Sequence, residues 1–171
     1  MTRRHWVHVP AQYTGSEPAA LMVFQDGWLQ GDIRAGAVLD HLIERGEMPV
    51  TIGVFVDPDD DRNLEHDAFN DTYATFLLDE LLPSVLEEHN VTDDPEEWAI
   101  GAGSSGEPPK PLRIFLPPPR AISTGGPGRM RVAAALAERD YDFRLAVTDD
   151  GHDLHRTRAV LPDALRWLWR S

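Results

Sequence analysis

Two apolar runs constrain the fold most: "AALMVFQDG" over residues 19–27 and "VTIGVFVDP" over 50–58. Neither alternates apolar with polar residues, as a strand with one wet face would. Short continuous runs of this kind, closed by Asp-Gly or Asp-Pro, read as strands buried on both faces. The second is rich in β-branched residues, which suits a strand. Such strands need cover on both sides of their sheet, and the intervening segments can supply it. Residues 34–45 repeat Ala37, Val38, Leu42 and Ile43 at helical spacing, with Gly46 as a stop. Residues 71–88 place Tyr73, Phe76, Leu77, Leu81, Val85 and Leu86 along one helical face, and Pro83 predicts a kink there.

The same reading continues along the chain. Strand patterns occupy 5–9, 98–101, 111–116 and 142–147, and an Ala-rich helix is expected over 129–139. A closing helix is expected over 162–170, with Pro162 in its first turn and Leu165, Leu168 and Trp169 inward. Strands alternating with helices predict a three-layer α/β sandwich with a mostly parallel sheet, in a single domain over residues 1–171. Chemistry in such sheets gathers at the carboxyl ends of the strands. The loops to watch are therefore Gln25-Asp26-Gly27, the serine loop after Gly101, and residues 148–155.

Charge and composition exclude several classes of partner. The net charge of −13 leaves no basic patch to meet phosphates, which argues against nucleic acid and anionic membrane. There is no cysteine, so thiolate nucleophiles, disulfides and Cys-based metal sites are ruled out. The opening "MTRRHWVHVP" lacks the apolar core of a signal peptide, and no apolar run approaches the ~18 residues of a membrane span. Cytoplasm is the expected compartment.

The stretch "EEWAIGAGSSGEPPKP" (96–111) leads a strand into small residues around a serine. Ser104 has Ala102 two residues before it and Gly106 two after. Small flanks suit a nucleophile elbow, where the backbone bends sharply and strand and helix approach closely. Ser105 is the rival, but one of its flanks would be the large Glu107. Taken alone, the motif is also what a plain Gly/Ser turn looks like. His152, in "TDDGHDLH" after the last strand pattern, fits the chain order serine, acid, histidine of layered hydrolases; His155 is the alternative. His152 and His155 with Asp150 or Asp153 could also hold a divalent metal, but an H-x-x-H pair in a loop has low specificity. "DPDDDR" (57–62) lacks the fixed Gly and terminal Glu of a calcium loop and reads as a solvated turn.

In order, "WVHVPAQY", "ALMVFQDG", "VLDHLIERGEMP", "DRNLEHDAFNDTYATFLLDELLP", "AIGAGSSG", "KPLRIFL", "YDFRLAVTDDGHDLH" and "LPDALRWLW" resemble the enterochelin-esterase-like family of α/β-hydrolases. The resemblance implies a serine carboxylic-ester hydrolase acting on a small-molecule ester, with no metal or other cofactor. It implies Ser104 as nucleophile and His152 as general base, with one oxyanion donor from the Ser105 N–H and a second from Gln25, Asp26 or Gly27.

Two departures weaken that assignment. Family members run from the serine through a helix and a further strand before "KPLR"; here only Glu107-Pro108-Pro109 separates Gly106 from Lys110. The family's acid sits in the loop after "KPLRIFL", but residues 117–126 here contain no carboxylate. Asp149, Asp150 and Asp153 are the candidate substitutes. The short link also limits topology. A five-residue strand is ~17 Å long, and residues 104–110 span at most ~24 Å. The link can reach a parallel neighbour only if nearly straight; otherwise "PLRIFL" is antiparallel or displaced. Loss of the helix also predicts an exposed sheet face, through which the chain could form an oligomer.

Overall fold

Both apolar runs become central strands. In the computed structural model of the chain, β2 (Ala20–Phe24) and β3 (Thr51–Val56) lie parallel, and every residue of both is buried. β1 (His5–His8) runs antiparallel along the other side of β3. β4 (Trp98–Gly101) runs parallel along the other side of β2, giving the order β1-β3-β2-β4. The structure describes residues 3–58, 72–101, 114–116, 137, 142–145 and 154–170. The chain divides into two compact units, Met1–Gly106 and Glu107–Ser171.

Cover on both faces explains why β2 and β3 carry no polar alternation. Leu21 and Val23 of β2 join Ile52, Val54 and Val56 of β3 in one cluster. Its other wall is Tyr73, Phe76, Leu77, Leu81, Leu82 and Val85. Each such side chain contributes about 1.5–3 kcal/mol on full burial. On the opposite face lies α2 (Ala35–Glu44), whose Leu39 packs over Gly53. A Cβ at Gly53 would sit 2.9 Å from Leu39 Cδ1 and 3.1 Å from Phe55 Cε2. Glycine at mid-strand therefore admits the helix. His8 ties β1 to the same helix, its Nε2 lying 2.9 Å from Asp40 Oδ1.

α2 ends where the sequence predicts. The Gly46 N–H donates to the Ile43 carbonyl and the Glu47 N–H to the Leu42 carbonyl, both at 2.9 Å. That pair of bonds is a Schellman cap, and Gly46 takes the left-handed conformation it requires, with φ 66°. Nothing lies within 4 Å of a Cβ built there. Gly46→Ala is expected to destabilise by about 1 kcal/mol through backbone strain alone. Gly46→Asn should cost less, and denaturant unfolding of the two variants checks the ranking.

The helix predicted over 71–88 is continuous but not uniform. It comprises α3 (Thr72–Thr75), a π-helical turn (Phe76–Leu81) and α4 (Leu82–Glu88). The Leu82 N–H bonds the Leu77 carbonyl, five residues back. In a regular helix the Pro83 ring would strike the carbonyl four residues before it. The wider turn relieves that clash. It also rotates the later residues, so Leu82 is buried and Leu86, expected inward, is 40% exposed.

Among the described residues of the second unit, β5 (Ile114–Leu116) pairs in parallel with β6 (Phe143–Leu145) in a separate two-stranded sheet. The short link falls within residues 102–113, which lie outside the described residues, and the expected choice among a parallel, an antiparallel and a displaced strand lies there with it. α5 (Leu154–Leu168) lies against β5. It begins at Leu154, correcting the expected start at Pro162. Pro162 sits inside the helix, where it removes one backbone bond. Leu165 is fully buried, as expected. The helix expected over 129–139 lies, Ala137 apart, outside the described residues.

Candidate active site

The carboxyl ends of β2, β3 and β4 share one rim because the three strands are parallel. Phe24 is in register with both Phe55 and Gly101. Beyond Phe24 the chain leaves the sheet as Gln25-Asp26-Gly27. The Gln25 N–H donates to the Gly101 carbonyl at 2.9 Å. This bond sets the loop beside the last residue of β4, from which the serine loop departs. The loop then turns into the short helix α1 (Trp28–Gly31). The Leu29 N–H bonds the Asp26 carbonyl and the Gln30 N–H the Gly27 carbonyl, each at 3.0 Å. The Gln30 Oε1 accepts from the Gly36 N–H at 2.9 Å, which joins α1 to the start of α2.

Burial is deep here. Asp26 is wholly buried and Gln25 is 9% exposed. The Gln25 Oε1 is enclosed with no hydrogen-bond partner among the described residues. Buried polar atoms ordinarily find a partner, and an exception marks a place to look for function.

Gly27 is packed from two sides. A Cβ built on it would overlap the Asp57 carboxylate and stand 2.5 Å from Cζ3 of the Trp6 ring. Asp57 follows β3, and Trp6 comes from the antiparallel β1, so both belong to this rim. The Asp57 N–H donates to the Arg4 carbonyl at 2.9 Å, and the Arg4 guanidinium lies 3.2 Å from the Asp57 carboxylate. A groove of about 430 Å³ opens beside them, lined by Arg4, Trp6, Gly27, Gln30, Gly31 and Asp57.

Of the site residues taken from the sequence, Gln25, Asp26 and Gly27 are placed on this rim. Ser104, Ser105, Asp149, Asp150, His152 and Asp153 lie outside the described residues. His155 is the second residue of α5. Sequence reading did not place Trp6 and Asp57 beside this loop. The available signal was that the second buried run, like the first, closes on an aspartate. Among the described residues no group of three or more His, Asp or Glu side chains could hold a metal ion. No described helix is long and apolar enough to cross a membrane.

Solved structures share this architecture. A ferulic acid esterase superposes with a TM-score of 0.79 at 16% identity, over 98% of this chain and 92% of its own. The enterobactin esterase of Shigella flexneri, crystallised in the presence of enterobactin, gives 0.80 at 18% identity. This chain covers 98% of itself in that match but spans only 55% of the Shigella protein. The BES protein of Bacillus cereus gives 0.64 at 12% identity, over 99% and 90% of the two chains. At such identities the likeness establishes the fold, which is of the α/β-hydrolase type. No curated protein matches the sequence. The family described as "Putative esterase" matches residues 2–106, ending where the first compact unit ends. That is well over half of the 171 residues, and the chain belongs to this esterase family.

Proposed function

We propose that the chain is a serine hydrolase of small-molecule carboxylic esters, working as a single domain with a Ser104–His152 dyad and without a cofactor. The observation that carries this reading is the bond from the Gln25 N–H to the Gly101 carbonyl. It keeps the loop after β2 against the strand end that feeds the serine loop. Ser104 follows Gly101 by three residues, a reach of at most ~11 Å.

Ser104 Oγ attacks the ester carbonyl carbon and gives its proton to His152. The carbonyl oxygen, now an oxyanion, takes hydrogen bonds from the Ser105 N–H and from the loop after β2. The Gln25 N–H is already spent on Gly101. The second donor therefore falls to the backbone of Asp26 or Gly27. His152 then protonates the departing alcohol, and water releases the acyl group by the same steps. With no carboxylate in residues 117–126, His152 lacks the family's orienting acid, and the rate is reduced accordingly. Asp149, Asp150 or Asp153 would restore it only by folding back onto the ring. Localisation in the cytoplasm belongs to this proposal. So does association through uncovered sheet surface, which Ile100 of β4, 47% exposed, supports.

Treatment with a fluorophosphonate probe, followed by peptide mapping, should find the adduct on Ser104. Folded protein that takes no adduct there would overturn the proposal. A non-catalytic relative is the second reading, favoured by the missing acid. Hydrolysis of a p-nitrophenyl ester that disappears in Ser104→Ala would exclude it.

A further inference from the structure

We propose that Asp57 and Trp6 are positioning residues that clamp Gly27 and so fix the loop that presents the second oxyanion donor; the catalytic half of this inference rests on the ester-hydrolase reading. The loop at residues 25–27 is short, and each end has its own anchor. At one end the Gln25 N–H is bonded to Gly101 of β4. At the other, the Gly27 backbone lies so close to the Asp57 carboxylate and the Trp6 ring that no side chain fits between them. Asp57 is held at its backbone, where its N–H is bonded to the Arg4 carbonyl, and its carboxylate faces the Arg4 guanidinium. The Arg4 side chain is 83% exposed, so the ion pair itself adds little. The holding is done by contact and by the β1–β3 ladder beneath it.

This placement matters because an oxyanion donor acts through position. Donors must already point at the site of the developing charge, and a displacement of ~1 Å can cost about a hundredfold in rate. Without a clamp, Gly27 would have the widest conformational freedom of any residue at the point where aim is needed. Trp6 carries a further cost that suits this role. It is 42% exposed on an edge strand, a poor return for so large an apolar side chain unless its ring edge is needed where it lies.

The test compares Asp57→Ala, Asp57→Asn, Trp6→Ala and Trp6→Phe with the full-length parent. Steady-state hydrolysis of a p-nitrophenyl ester gives kcat and KM. Hydrogen exchange followed by mass spectrometry reports on the segment 25–30, with 51–56 as the internal control. Asp57→Ala and Trp6→Ala are expected to lower kcat about tenfold to a hundredfold with KM within about twofold, the pattern of an interaction made in the transition state. Exchange over 25–30 should speed up about tenfold while 51–56 is unchanged, as expected for local opening. Asp57→Asn and Trp6→Phe, which keep the contacts, should stay within about threefold of the parent in kcat. Unchanged exchange over 25–30 in both alanine variants overturns the clamp, as does a rise in KM alone. A kcat loss that the Asn and Phe variants share equally also overturns it. If the parent shows no Ser104-dependent turnover, the ester-hydrolase reading fails and exchange alone judges the clamp. Faster exchange confined to 25–30 then supports it, and unchanged exchange refutes it.

Discussion

Ser104→Ala is expected to lower kcat on a p-nitrophenyl ester by about 10²-fold, not by the ~10⁶ seen when a complete protease triad loses its serine. The members of a triad act as a unit, so their losses do not add. Removing the acid alone costs ~10⁴, and once that is gone the serine has only about 10² left to contribute. In this chain the acid's usual loop, residues 117–126, contains Pro117, Arg120, Ser123 and Thr124 but neither Asp nor Glu. A fall of about 10² corresponds to roughly 2.7 kcal/mol of transition-state stabilisation. The size of the effect is therefore diagnostic. A loss near 10⁶ would show that Asp149, Asp150 or Asp153 completes a triad. No loss at all would remove Ser104 from the chemistry. Matched kcat values for the parent and Ser104→Ala, measured on the same ester, decide among these outcomes.

Phe55→Ala carries the largest expected cost to stability, about 3–5 kcal/mol. Phe55 is fully buried near the carboxyl end of β3 and stacks on Phe24 of β2, with ring centroids 4.5 Å apart and planes 1° from parallel. An aromatic pair adds ~0.5–1.5 kcal/mol beyond the area it buries. Truncation leaves a cavity between two strands that cannot close on it, because each is held by neighbours on both sides. Against a typical total of ~5–15 kcal/mol, the loss is a large share. For a chain of this size the melting temperature should fall by something on the order of 10 °C. Phe55→Leu, which keeps most of the volume, should cost less than half as much. Thermal unfolding of the two variants gives the comparison, and equal, small shifts would show that the stack contributes little. The effect reaches the candidate site as well. Phe24 is the last residue before Gln25 and is in register with Gly101, so loosening the stack loosens the rim.

The strands of the main sheet were readable because burial on both faces leaves a local mark. A residue run such as 20–24 can be uniformly apolar only if the sheet is covered twice, and the structure covers it twice. Gly46 as a helix stop was readable for a similar reason, since the left-handed turn is a property of one residue and its neighbours. Leu86 was misjudged because helical spacing assumes a constant turn. The π turn before Pro83 changes the turn and passes the inward position to Leu82. Pro162 misled in the opposite direction, since a proline in mid-helix looks locally like a proline at a helix start.

The sequence by itself determined the strands of the main sheet, the double cover of the central pair and the candidacy of Ser104 and His152. Those follow from side-chain size, polarity and near-neighbour spacing, which the chain carries wherever it goes. Only the tertiary structure decided that Gln25 is bonded to Gly101, that Trp6 and Asp57 close on Gly27, and that β5 pairs with β6 in parallel. Each of these joins residues from separate elements. Nothing in the local pattern of either partner encodes the other, and they meet because strand register and sheet order bring their ends to one place.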